Sequence, residues 1–216
     1  MTRVGKGVDS SLFGSYVPDL DAVAKALKRL ESSPFPTRVI GFPSYLWFGL
    51  RRMEELGLQV RLPRGSRIIL AGGWKQHAAQ EVDKKTLYSL AEKVLGIPEE
   101  NINELFGAVE HPVFYNTCEN HHFHIPIYGR VLIRDPDTLE PVPMGQVGLV
   151  NLISPLMTAT PTLSVMTDDL GYLTPGEACP CGKKSPYLTI LRRVGMSDIQ
   201  TCAAGASELL GKGEAF

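Results

Sequence analysis

The sequence predicts an α/β fold in which a parallel sheet with crossover helices is followed by a mostly β subdomain. Three observations carry this. Short apolar runs of strand length alternate with amphipathic helical stripes up to roughly residue 111, turn and cap residues separate them, and beyond residue 112 the pattern changes to short strands joined by turn signals. The length fits: 216 residues, 44% hydrophobic and 21% charged, can bury the core of one large or two small units. The expected division is a partial α/β subdomain over 1–111, a β-rich subdomain over 112–193 and a C-terminal segment over 194–216.

The first helix is predicted from Leu20 to Glu31, capped by Asp19, with Val23, Leu27 and Leu30 on one face. Pro34 and Pro36 end it, and Arg38-Val39-Ile40-Gly41 reads as a buried strand. Pro43-Ser44 opens a second helix that carries Leu46, Trp47, Leu50, Met53 and Leu56 and stops at Gly57. A second strand, Arg67-Ile68-Ile69-Leu70, runs into Gly72-Gly73-Trp74-Lys75. A third helix covers Lys84 to Leu95 with Leu87, Leu90, Ala91 and Val94 as its stripe, closed by Gly96-Ile97-Pro98. Strands are then expected at Ile125–Ile133, Gly148–Ile153, Thr162–Met166 and Tyr187–Arg192, with Asp135-Pro136-Asp137-Thr138 as a hairpin turn.

Charge and hydropathy exclude some classes of partner. A net charge of -1 without Lys/Arg runs argues against nucleic acid or an anionic membrane. No apolar stretch reaches membrane-spanning length, and Met1 to Gly7 lacks the apolar core of a signal peptide. The expected location is therefore cytoplasmic, where cysteines stay reduced and serve as ligands or nucleophiles more often than as disulfides.

Three of the four cysteines and three of the five histidines fall into two short stretches, Cys118 with His121-His122-Phe123-His124, and Cys179-Pro180-Cys181-Gly182. Thiolate and imidazole are the ligands Zn²⁺ prefers, and four of them close a structural tetrahedral site. Cys118, Cys179, Cys181 and one imidazole would make such a staple. Spacing leaves open which of His121, His122 and His124 takes part, and the bland alternative is free thiols beside a histidine-rich strand.

Other clusters are weaker alone. Gly72-Gly73-Trp74-Lys75 at a strand end would let a flat or anionic ligand approach the backbone, with Lys75 free to meet a phosphate or carboxylate; a plain turn explains it as well. Glu104 to His111 sets an aromatic, a glycine and a carboxylate together, as many strand edges do. Thr167-Asp168-Asp169-Leu170-Gly171 offers paired carboxylates for a sugar diol or a metal, against a default of solvated turn residues.

Their order resembles the large domain of adenylate-forming enzymes, in the branch of the acyl-protein synthetases of bioluminescence operons and the phenylacetate-CoA ligases. Gly72, Gly73, Trp74 and Lys75 resemble the glycine segment that packs on adenine there, and the Trp-Lys form is typical of the acyl-protein synthetases. Phe106-Gly107-Ala108-Val109-Glu110 is similar to Tyr-Gly-x-Thr-Glu, which implies Phe106 stacking on adenine and Glu110 helping to hold Mg²⁺; two hydroxyls of the motif are lost. Gly145 to Val150 resembles the strand before the ribose motif, and Thr167–Gly171 resembles Thr-Gly-Asp-Leu-Gly, which implies Asp169 on the ribose hydroxyls. Cys179-Pro180-Cys181-Gly182-Lys183 is close to the Cys-x-Cys-Gly-Arg of the phenylacetate-CoA ligases. Leu191-Arg192-Arg193 stands where that family has Leu-Gly-Arg, which implies Arg193 as a phosphate or ribose contact with Arg192 in place of a hinge glycine. The resemblance runs from about Leu12 to Leu210 and makes His124, which leads into Ile125-Pro126 as in the relatives, the preferred imidazole ligand.

Gly195 to Cys202 resembles the stretch that ends in the acylated cysteine of acyl-protein synthetases. The implied chemistry is nucleophilic: a Cys202 thiolate attacks an acyl adenylate, AMP leaves, and the acyl group waits as a thioester. Arg192 or Arg193 could favour the thiolate, while a small buried cysteine is the plain alternative. Within these 216 residues no Ser/Thr/Gly-rich run suits a triphosphate, Asp9-Ser10-Ser11-Leu12-Phe13-Gly14 being a poor substitute, and the C-terminal lid of the relatives has no counterpart. The expectation is the C-terminal portion or subunit of an ATP-dependent acyl-adenylating ligase. Its partners would be an N-terminal half carrying the phosphate-binding loop, a carboxylic or fatty acid, and an acyl-accepting thiol. A zinc-stabilised scaffold without catalysis is the alternative.

Overall fold

The structure is a computed structural model and describes residues 19–158 and 162–194. The chain divides between Glu104 and Leu105 into two compact units. In the first, β1 (Arg38–Gly41) and β2 (Arg67–Ala71) pair in parallel, Val39 opposite Ile68 and Ile40 opposite Ile69, and β3 (Ile102–Phe106) lies next to β2. A parallel pair needs a crossover, and α2 (Pro43–Glu55) supplies it between β1 and β2, while α3 (Lys84–Leu95) follows β2 in the chain and precedes β3. The helices begin and end where their chemistry dictates. Asp19 accepts the Ala22 amide at 2.9 Å at the start of α1 (Leu20–Leu30), Asp83 accepts the Thr86 amide at 2.9 Å at the start of α3, and Gly96 at φ 66° ends α3 in the left-handed conformation. The apolar stripes meet in one core where Leu50 and Met53 of α2, Ile68 of β2, Ala91, Val94 and Leu95 of α3, and Ile97 and Ile102 are almost wholly buried.

The second unit is β-rich. The end of β3 pairs antiparallel with β4 (Tyr115–Asn116), Phe106 opposite Tyr115. A five-stranded antiparallel sheet follows in the order β5-β9-β8-β7-β6, from β5 (Phe123–His124), β6 (Arg130–Arg134), β7 (Gly148–Ile153), β8 (Ser164–Thr174) and β9 (Tyr187–Arg193). Val113, Tyr115, Val131, Ile133, Val150, Leu152 and Leu188 form its core.

Two expectations about strands are corrected. The strand expected over Ile125–Ile133 begins only at Arg130, because Pro126 and Gly129 make a turn in which the Gly129 amide donates to the Pro126 carbonyl at 3.0 Å. The strand expected at Thr162–Met166 instead runs on to Thr174, so Thr167-Asp168-Asp169-Leu170-Gly171 is strand rather than turn. Pairing with neighbours on both sides outweighs the turn-forming tendency of two aspartates and a glycine. A bulge sits between Leu170 and Gly171, where a Cβ on Gly171 would lie 2.4 Å from the Thr189 carbonyl oxygen, so only glycine fits.

Candidate functional site

In the second unit Cys118, His124, Cys179 and Cys181 converge, and their ligand atoms all lie within 4.8 Å of one another. Three local structures bring them together. Cys118 opens a tight turn in which its amide donates to the His122 carbonyl at 3.0 Å and its carbonyl accepts the His121 amide at 3.0 Å, with His121 at φ 58°. The Asn120 amide, inside this turn, donates to Cys118 Sγ at 3.4 Å. His124 lies on β5 opposite Tyr187 of β9. Cys179 and Cys181 occupy a second turn, closed by the Gly182 amide on the Cys179 carbonyl at 3.3 Å, where Gly182 adopts φ 80°.

The sulfurs are free thiols in close contact, Cys118 Sγ to Cys179 Sγ at 3.7 Å and Cys179 Sγ to Cys181 Sγ at 3.3 Å. His124 Nε2 is 3.2 Å from Cys181 Sγ, and Nδ1 of the same ring is 2.8 Å from the Ser185 carbonyl. A carbonyl only accepts, so the ring proton sits on Nδ1 and the Nε2 lone pair faces the thiols. A ligating histidine is commonly oriented in this way by a backbone carbonyl. A tetrahedral ion with bonds of about 2.3 Å to sulfur needs sulfur–sulfur edges of about 3.8 Å, so the donor set and its spacing fit Zn²⁺. Burial pushes the Cys179 thiol up to about 11, and the neighbouring Cys181 and Cys118 sulfurs add to this against the Cys181 amide. Cys181 moves the other way: burial opposes ionisation, but the Lys183 amide and the adjacent sulfurs outweigh it. A divalent cation among these groups would favour the thiolate at every one of them.

His122 stands beside this set, with Nδ1 3.1 Å from Cys179 Sγ. It was one of three candidate imidazoles, and strand periodicity could have marked it, since residues two apart share a face and His122 precedes His124 by two. Nothing local in the sequence marks the Ser185 carbonyl or the Tyr187 ring, which stacks on His122 at 4.1 Å.

The residues singled out by resemblance lie as follows. In the first unit Gly72 has φ 68°, Gly72 and Gly73 are exposed, Trp74 is buried, and Lys75 begins a short 3-10 helix, Lys75–Gln80. His77 of that helix packs edge-on against Phe48 at 5.1 Å and Tyr45 at 5.9 Å. In the second unit Phe106 is half-buried, with its ring 6.2 Å from Tyr115 and 6.0 Å from Phe123, the neighbour of His124. Gly107 and Glu110 are exposed, and a Cβ on Gly107 would press on the Phe114 ring at 3.1 Å and the Val113 carbonyl at 3.2 Å. Asp169 and Arg193 face each other across β8 and β9, and Arg193 donates to Asp168 at 3.2 Å. The Asp169 amide donates to Thr167 Oγ1 at 3.2 Å. Burial holds the Asp169 carboxyl above its ordinary range, with Arg193 and Thr167 pulling the other way. Cys202 lies outside the described residues.

The chain is 27% identical over 205 residues to the long-chain-fatty-acid–luciferin-component ligase of Aliivibrio fischeri, covering 90% of this chain and 51% of the relative. It is 28% identical over 197 residues to the Vibrio harveyi protein of the same name, covering 88% and 50%. A phenylacetate-coenzyme A ligase of Thermus thermophilus is 29% identical over 137 residues, covering 60% and 26%. The chain thus spans about half the length of the two luciferin-component ligases. In fold it is similar to a crystal structure of 2-hydroxyisobutyryl-CoA ligase, with a TM-score of 0.64 and 22% identity over 87% of this chain and 42% of that one. Residues 19–211 match the family described as Acyl-protein synthetase, LuxE, and the chain belongs to that family.

Proposed function

We propose that this chain is the C-terminal portion of an ATP-dependent acyl-protein synthetase, contributing adenine, ribose and thiol-acylation elements to a reaction whose phosphate-binding loop lies elsewhere. The observation that carries the reading is the family match over residues 19–211 against relatives about twice as long. In the complete enzyme a carboxylate oxygen of a fatty or other carboxylic acid attacks the α-phosphorus of ATP. The bond to the β-phosphate breaks, releasing pyrophosphate and leaving acyl-AMP. Phe106 offers a ring for adenine, Gly72 and Gly73 a backbone without side chains beside it, Lys75 a cation, Asp169 an acceptor for the ribose hydroxyls, and Arg193 a cation for ribose or phosphate. Glu110 would hold Mg²⁺, which supplies charge neutralisation for the triphosphate. The Cys202 thiolate then attacks the acyl carbon, AMP leaves with the bonding pair, and a thioester remains.

The Cys118, His124, Cys179 and Cys181 set holds a structural Zn²⁺ in this reading. Four protein donors fill its coordination, so it staples loops and takes no part in the acyl transfer. About one zinc per chain is expected in metal analysis of reduced protein purified without chelators; its consistent absence would defeat the assignment.

The test of the ligase reading is ATP–pyrophosphate exchange by the chain together with a segment that supplies the phosphate-binding loop, in cis or in trans. Exchange that depends on both parts supports it. No exchange with any such segment, from a chain that is folded and zinc-loaded, would leave a non-catalytic scaffold derived from such an enzyme. Cys202→Ser should retain exchange, zinc and thermal stability while abolishing covalent acyl label; label persisting on that variant excludes Cys202 as carrier.

A further inference from the structure

His122 is the donor that the fourfold ligand set leaves over, yet it is tied to that set at two points. Its backbone carbonyl accepts the Cys118 amide at 3.0 Å, and its Nδ1 lies 3.1 Å from Cys179 Sγ. The ring is not free to turn away, because it stacks on Tyr187 with centroids 4.1 Å apart and planes 11° from parallel. Tyr187 is itself buried, the first residue of β9, and paired across the sheet with His124. One tyrosine therefore positions the His122 ring and lies beside the strand that carries a ligand.

Charge gives this contact a purpose. Three thiolates around one divalent cation leave an excess negative charge, and Cys118 and Cys179 hold part of it almost wholly out of solvent. A buried anion needs donors. Cys118 Sγ has the Asn120 amide at 3.4 Å. At Cys179 Sγ the imidazole of His122 stands closer than either neighbouring sulfur.

We infer that His122 is the outer-sphere donor of the metal centre: with its proton on Nδ1 it hydrogen-bonds the Cys179 thiolate, positions that sulfur and slows loss of the ion, without being a ligand. This rests on the metal reading above. An outer-sphere partner of this kind commonly changes metal retention by about tenfold to a hundredfold when removed.

The test uses the whole chain, loaded with Zn²⁺ or with Co²⁺ as a spectroscopic stand-in, as wild type, His122→Phe and His122→Asn. The phenyl ring keeps the stack on Tyr187 and loses the donor; the asparagine amide places an N–H near the position of Nδ1. Expected for His122→Phe are an unchanged one-to-one stoichiometry and tetrahedral cobalt spectrum, a shifted thiolate-to-cobalt charge-transfer band, and release of zinc to a chelator about ten times faster. His122→Asn should restore the band and the release rate, a recovery that a purely structural role would not produce. Should the phenylalanine variant fail to fold, His122→Gln, whose amide reaches beyond the Nδ1 position, takes its place beside His122→Asn and should release zinc faster. Wild-type band and release rate in the donor-less variant would overturn the inference. So would loss of one ligand in His122→Phe with none lost in His124→Phe, since His122 would then be a ligand. A wild-type chain that binds neither ion removes the metal reading first, and the inference with it.

Discussion

The two units of this chain reach stability by different routes. In the first, helices of 11 to 13 residues lay apolar stripes on a parallel sheet, and Leu50, Met53, Ile68 and Leu95 are almost wholly buried. In the second, the segments around Cys118 and Cys179 are tight turns and a two-residue strand, too short to bury much apolar surface. The small cluster there is Cys118, Cys179 and Tyr187 with Cys181 beside them. Where elements are long, burial suffices. Where they are short, convergent donors stand in place of a large core, and on the zinc reading proposed above the ion would cross-link them and its binding energy would become folding energy.

The largest effect should come from removing a ligand. Cys118→Ser or Cys181→Ser is expected to abolish zinc binding and speed hydrogen exchange across 115–124 and 176–188, with α3 little affected. Wild-type melting temperature and metal content in either variant would show that the turns hold without a staple. A chelator should act on wild type in the same way.

Next in size is the core of the first unit. Leu50→Ala should cost about 2–5 kcal/mol, through lost burial and the cavity left behind. The cost should be the same with and without chelator, read as a shift in the denaturant midpoint of the first unit. Dependence on zinc would mean that the two sources of stability are not separate.

Gly176→Ala sharpens the comparison inside the second unit. An added Cβ would lie 2.4 Å from the carbonyl oxygens of Lys184 and Ser185, and the Ser185 oxygen is the one that orients His124. The expected outcome is a soluble protein with weakened zinc retention. Unchanged zinc affinity would show that this carbonyl does not set the ligand.

The smallest effect concerns the β6–β7 connection, where Asp135 accepts the Thr138 amide at 2.9 Å and the Asp137 amide at 3.0 Å. These bonds, Thr138 first, hold its carboxyl below the ordinary range. Because the folded value is depressed, its contribution is present above the unfolded value of about 3.9 and lost as pH falls through the folded one. Asp135→Asn should therefore be slightly destabilising near neutrality and lose that difference in acid, measured as denaturant midpoints at the two pH values. A gap between variant and wild type that persists in acid would exclude this carboxylate as the cause.

Much of the first unit was legible because its signals are local. Asp19, Asp83, Gly57 and Gly96 mark helix ends within one turn of the residues they cap, and the stripes of α2 and α3 repeat at the helical period. The second unit was less legible. Pro126 and Gly129 break an apolar run that reads as one strand, and the neighbours of β8 carry the chain through Thr167–Gly171 where turn residues suggested a loop. Pairing across a sheet joins residues far apart in sequence, and a window of neighbouring letters does not contain it.

The same distinction applies at the cysteine–histidine cluster. Sequence by itself determined the chemistry available: three thiols and a histidine run, types that suit one soft tetrahedral ion. Tertiary structure decided the geometry. The register of β5 against β9 turns His124 Nε2 to the thiols through the Ser185 carbonyl, and stacking on Tyr187 leaves His122 against Cys179. Ligand type is a property of each residue alone, whereas the direction of a lone pair depends on a hydrogen bond between segments about sixty residues apart, which exists only once the sheet has formed.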